Sequence, residues 1–378
     1  MSTILALPRE MLLSCFSSLP YRERTGYSFV CKLFWEVAND NSLWKLWCKD
    51  VWKWDVEVIK NVDFKVLFFN LLNAKAASFL ISLDGCDHCC LRSSVAKIVG
   101  RTKFELLDIT DPREVNVIEE ISLDQQFTND AVVWVYEWRE RLVVVQTKGF
   151  LIEEKSGSRQ FTRHPLKNHP FEWSQLCGDR LCFVLEREIG DVKYTQLAVM
   201  DLTQPQTFSE PFSLFSHDSV LEEPCSLYAD DKNMYVGYLP GFVSIHELET
   251  LAWKACFQMH LTKITDLHSI GSRLLTASYN ILKIWDLQPK ITCAAITKID
   301  DCSTLQVLSH RVFVSGANGI EIYDDKALNK VATLPSLWKP SHGLHFIDSK
   351  VIRFVDGYLE VFDFALRTQA EPMQLSSE

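Results

Sequence analysis

From residue 76 to the C-terminus, short apolar runs are broken by Gly, Asn or Asp, and the breaks recur in the same order seven times. Segments such as SRLLTASYNILKIWDL, HRVFVSGANGIEIYDD and SKVIRFVDGYLEVFDF each read as a strand, a turn former and a second strand that closes on an acidic residue. The closing positions are Asp108, Glu154, Asp201, Glu247, Asp286, Asp324 and Asp363, at steps of 46, 47, 46, 39, 38 and 39 residues. The turn formers ahead of them are Gly100, Gly149, Gly190, Gly241, Asn280, the pair Asn318-Gly319 and the pair Asp356-Gly357.

Residues 74 to 378 number 305. Seven units then hold about 44 residues each, close to the roughly 40 to 45 of a four-stranded propeller blade. The pattern predicts a seven-bladed all-β ring, with a non-propeller all-β domain of the same hairpin spacing as the alternative. One unit carries Trp285-Asp286, preceded by Ser278 and His260, and so resembles a WD repeat with its Gly-His, Ser, Asp and Trp network. Asn280 stands where that network has Asp, and Met200, His246, Tyr323 and Phe362 take the Trp position in other units. Apolar packing is therefore expected to hold most blades.

Before residue 76 the apolar spacing is helical. Leu12, Phe16 and Leu19 recur at steps of four and three beside Met11 and Cys15, and Val30, Leu33, Phe34 and Val37 repeat the pattern. Pro8 suits a first helical turn, because the N–H it lacks has no intrahelical partner there. Ser42 is the expected cap of a helix bearing Leu43, Trp44, Trp47 and Val51, and Asp63 of another bearing Phe64, Leu67, Phe68, Leu71 and Leu72.

The run from Leu7 to Trp44 resembles an F-box through Leu7-Pro8, Glu10, Leu12, Phe16, Leu19, Val30-Cys31-Lys32, Phe34, Ala38 and Ser42-Leu43-Trp44. It departs from the pattern at Arg24 and Thr25, where family members usually carry leucines. An F-box (1–48), a helical linker (49–75) and a degenerate seven-bladed WD-like propeller (76–378) together resemble the F-box/WD-repeat family, the substrate receptors of SCF-type ubiquitin ligases. The resemblance implies that the F-box binds the Skp adaptor and through it a cullin scaffold. It also implies that the propeller holds a target protein, whose identity the sequence does not give, and that the chain itself needs no catalytic residue.

Chains below about 40 residues seldom close a core alone, so an F-box has apolar surface left for a partner. Leu7, Pro8, Leu12, Phe16, Val30, Cys31, Phe34, Leu43 and Trp44 are the candidates for that face, while Leu19, Val37 and Trp47 are expected to pack inward. The other reading of the same architecture is a propeller scaffold that assembles proteins without ubiquitin ligase activity.

Several function classes fall away. A net charge of -10 repels phosphate backbones and anionic membranes. The longest stretch free of charged residues, Asn233 to His246, contains Pro240 and falls short of the roughly 20 apolar residues that span a bilayer. MSTILALPRE lacks the features of a secretory signal, and twelve scattered Cys read as reduced thiols in the cytoplasm or nucleus. Cys86, His88, Cys89 and Cys90 lack a second ligand pair nearby, so no zinc site is expected. His246-Glu247 does not continue as a metalloprotease motif, no phosphate-binding glycine loop is present, and no cofactor is expected. A pocket for phosphorylated targets would draw on Arg101, Arg139, Arg141, Arg180, Arg187 or Arg353, each of which otherwise reads as a solvated charge.

Overall fold

The computed structural model describes residues 9–17, 36–52, 64–67, 76–82, 88–90, 95–99, 103–109, 111–112, 114–123, 130–165, 171–189, 192–205, 212–214, 223–308, 310–336, 340–347, 349–355 and 358–365. A small helical region comes first and is followed by seven four-stranded antiparallel sheets.

Two helices are described in the first region, α1 (Arg9–Ser17) and α2 (Asn41–Trp52). The residue that caps α2 is Asp40, not Ser42. The Asp40 carboxylate accepts the Ser42 N–H at 2.9 Å, and its carbonyl accepts the N–H groups of Leu43 and Trp44. A cap oxygen must reach the N–H two or three residues ahead, which places the cap one residue before the first helical turn. Ser42 lies inside that turn and donates its hydroxyl to Asp40. The expected cap Asp63, with Phe68, Leu71 and Leu72, lies outside the described residues.

The blades span 88–122, 132–165, 171–214, 224–258, 264–298 and 304–335, and the seventh combines 340–363 with 77–82. First strands of neighbouring blades touch one another, as 224–229 touches 264–270 and 264–270 touches 304–308. Each sheet therefore starts at the ring centre and ends at the rim. Second strands such as Arg141–Gln146, Arg273–Ser278 and Arg311–Gly316 are buried along almost their whole length. They are covered on both faces by adjacent blades, which is why they read as unbroken apolar runs. Outer strands such as Asn116–Ser122 are mostly exposed.

The closing acidic residues all end third strands or directly follow them, and several organise the turn beyond. Asp201 accepts the Thr203 N–H at 2.8 Å, Asp324 those of Lys326, Ala327 and Asn329, and Asp363 that of Ala365 at 2.8 Å. A short carboxylate bonding the backbone two residues on is a standard device for turning the chain. Across the ladder the acid faces the first residue of the second strand in five blades, and in four of these that residue is basic: Arg180, Arg273, Arg311 and Lys350. Glycine at the turn between second and third strands has a steric cause. Gly241 (φ +102) and Gly319 (φ +124) are left-handed, and a Cβ would fall 2.3 Å from the His260 carbonyl oxygen and 2.1 Å from that of Leu334.

In blade 5 the polar network is partial, and its hydroxyl comes from Thr276 rather than Ser278. His260 Nε2 lies 2.8 Å from Thr276 Oγ1, and Trp285 Nε1 donates to the same oxygen at 2.9 Å. His260 Nδ1 has no hydrogen-bond partner among the described residues, consistent with Asn280 occupying the place of the acid. Elsewhere the Trp position is filled by buried Met200, Phe362, Tyr323 and His246. Tyr323 donates to Glu321 at 2.6 Å, and His246 meets Ser244 at 3.0 Å.

The ring closes by pairing its two ends: 77–82 forms the outer strand of blade 7, antiparallel to 358–363, with Ala77 opposite Asp363 and Ser82 opposite Tyr358. The last blade is thus completed by the first strand of the domain.

Candidate functional site

α1 and α2 meet through a stripe of side chains three and four residues apart: Leu12 and Phe16 from α1, and Leu43, Trp44, Trp47 and Cys48 from α2, all buried. The rings of Trp44 and Trp47 meet edge to face at 4.5 Å, and Trp44 Nε1 donates to the Ala38 carbonyl at 2.8 Å. A helical piece at 64–67 packs against α2 through Phe64 and Leu67, and the Phe64 N–H reaches Asn41 Oδ1 at 2.7 Å. Burial pushes the Cys48 thiol up to about 12, so it acts here as a small apolar group.

The same buried cluster continues into the propeller, through Phe313, Ile320, Ile322 and Leu334 of blade 6 and Leu344, Val351 and Phe362 of blade 7. Ala76 and Phe364 belong to it as well. Apolar packing thus roots the helices on the two blades beside the ring closure.

Of the nine residues expected on the partner face, Leu12, Phe16, Leu43 and Trp44 lie together inside this core. Leu7, Pro8, Val30, Cys31 and Phe34 lie outside the described residues. Val37 and Trp47 are buried, whereas Leu19 is outside the described residues. The apolar surface on these helices comes from residues that sequence reasoning passed over: Met11 is 53% exposed and Leu46 39%, with Leu13 partly exposed between the helices. Leu13, Ser14, Ser17, Ser42, Leu43 and Leu46 line a shallow groove of about 220 Å³ there.

On the propeller the arginines whose side chains are described do not converge. Arg139 pairs with Asp179 at 2.5 Å, and Arg180 with Glu249 at 3.0 Å. Arg141 stacks over Trp138 and donates to the Glu153 carbonyl, while Arg353 is buried in blade 7 opposite Glu360. Arg101 lies outside the described residues, and the Arg187 side chain is likewise outside them. A hollow of about 330 Å³ between blades 3 and 4 is lined by Asp179, Asp201, Asp231 and Glu249 around Arg180. Trp138 and Arg139 donate to Asp179 and hold its carboxyl below the usual range, so this hollow presents negative charge. Among the described residues no group of His, Cys, Asp or Glu is placed to hold a metal, and no helix is long and apolar enough to cross a membrane.

Residues 4–49 match the F-box-like family. No curated protein matches the chain by sequence. Among solved structures, U3-55K aligns with a TM-score of 0.59 at 11% identity, over 76% of this chain and 98% of that one. A chain of a mitotic checkpoint complex aligns with a TM-score of 0.57 at 12% identity, over 76% and 90%. A computationally designed protein, Ika8, aligns with a TM-score of 0.51 at 11% identity, over 75% and 99%. At such identities the likeness concerns the fold alone. The chain thus joins an F-box-like region to a seven-bladed propeller, an organisation consistent with an F-box/WD-repeat protein.

Proposed function

We propose that this chain is a non-catalytic substrate receptor of an SCF-type ubiquitin ligase. Its F-box-like region docks the Skp adaptor and thereby a cullin scaffold, and its propeller holds a target protein in the cytoplasm or nucleus. The observation that carries this reading is the F-box-like match at 4–49 on helices that share one buried cluster with blades 6 and 7. A receptor speeds transfer by raising the effective concentration of a target lysine near the conjugating enzyme, and only a stiff connection holds that distance. A continuous core across the junction supplies such stiffness.

The docking face on this reading includes Met11, Leu13 and Leu46 around the α1–α2 groove, with Leu12, Phe16, Leu43 and Trp44 fixing it from beneath. Affinity capture of the full chain from cell extract should bring down adaptor and cullin in stoichiometric amounts, and Met11→Asp combined with Leu46→Asp should remove both. The scaffold reading draws on the burial of those four side chains in the chain's own core. It predicts capture of other proteins, indifferent to the two substitutions.

A further inference from the structure

The outer strand of a sheet presents unpaired backbone N–H and C=O groups, a template for another strand unless charge, proline or shortness blocks it. Most rims of this ring are blocked. Blade 1 has Glu119 and Glu120, held by Arg159 and Lys103. Blade 2 has Arg163 and ends at Pro165, blade 3 offers only Phe212–Leu214 among the described residues, and blade 4 has Lys254. Blade 6 begins its outer strand at Lys330 and ends it at Pro335.

Blade 7 has Ala77–Ser82, which also lacks charge and proline but follows directly on Ala76, packed in the cluster shared with the helices. Blade 5 is unblocked and stands clear of that cluster. Its outer strand, Thr292–Lys298, runs from Thr292 to Thr297 without charge or proline. It pairs on one side only, with Ile281–Asp286. Thr292, Cys293, Ala294 and Ile296 are exposed, Ile296 at 61%. Lys290 and Lys298 stand exposed at the two ends of the run, and neither engages a carboxylate among the described residues.

We propose that this edge takes up an extended segment of another protein by strand addition, and that the segment carries acidic residues at both ends of a short uncharged, β-branched centre. Charge decides the occupant. A second copy of this chain, paired antiparallel about Ala294 so that Thr292 faces Ile296, would set Lys290 of each copy opposite Lys298 of the other at both ends, and like charges across a strand pair are destabilising. The net charge of -10 opposes self-association further. Acidic ends on a foreign strand convert both lysines into attractive partners. The surface lies on the ring's rim, so it stands whether or not an adaptor binds the helices.

The test titrates the full-length chain into the dye-labelled peptide Glu-Thr-Val-Thr-Ile-Thr-Val-Thr-Glu, whose acidic ends stand eight residues apart like Lys290 and Lys298, beside the same peptide with Lys at both ends, and reads fluorescence anisotropy. Saturable binding of the acidic-ended peptide is expected, about tenfold tighter than the lysine-ended one, together with slowed amide exchange across 292–298. In Lys290→Glu/Lys298→Glu the preference should reverse, which also shows that the variant is folded. Absence of saturable binding, an unchanged preference in the charge-reversed chain, or slowed exchange elsewhere overturns the proposal. Dimerisation of the chain that Ile296→Asp abolishes, read by sedimentation, overturns it as well.

Discussion

The buried His246 and His260 and the partly buried His345 are each pushed down to about 4 by burial, and for His260 the nearby Lys283 adds to the effect. An unfolded histidine titrates near ~6.5, so each contributes stability that is fully present above that pH and lost as the pH falls toward 4. Asp266 works in the opposite sense. Burial raises its carboxyl to about 6, while N–H groups of Leu305 and Leu267 and the Thr304 hydroxyl oppose the rise. Its contribution is therefore present below about pH 4 and lost as the pH rises through 6. His246→Phe puts an apolar ring where blade 7 already has Phe362. It should remove on the order of 2 kcal/mol of the stability loss between pH 6.5 and 4, read from urea unfolding at a series of pH values. An unchanged slope would mean that His246 is not the neutral interior group described. The blade 5 network shows where residue-level reading stopped. Thr276 and Ser278 lie two apart on one strand and so face the same side, and only the reach of His260 selects between them.

At the scale of elements, the second and third strands were legible because both are deeply buried and the third ends on a turn-forming acid. Blade closure was not legible, since the partner of 77–82 lies at the other end of the chain and no local pattern points to it. A chain that begins at residue 83 should leave 358–363 as an open edge. Its thermal midpoint should fall by on the order of 10 °C, or the protein should aggregate through that edge. A midpoint equal to that of the full chain would contradict the closure. The helices taught a related lesson: α1 carries apolar residues on more than one side, Met11, Leu12, Leu13 and Phe16, so spacing found the helix but not its inward face. Burial of Leu12 and Phe16 and exposure of Met11 depend on where α2 and segment 64–67 sit, which is a tertiary fact.

For the whole molecule, one cluster spanning helices and blades 6 and 7 implies that the two regions unfold together. Trp47→Ala in α2 and Leu344→Ala in blade 7 each empty a buried site and should cost about 2 to 5 kcal/mol. Calorimetry should show both variants lowering the same transition. A helical transition that moves alone in Trp47→Ala would separate the regions and remove the stiffness on which the receptor reading depends. The most direct test of that reading is titration of purified full-length chain with purified Skp adaptor. The account predicts a saturating one-to-one complex, weakened at least about tenfold by Met11→Asp/Leu46→Asp with the unfolding midpoint unchanged; no complex with the intact chain, or one indifferent to both substitutions, would contradict it.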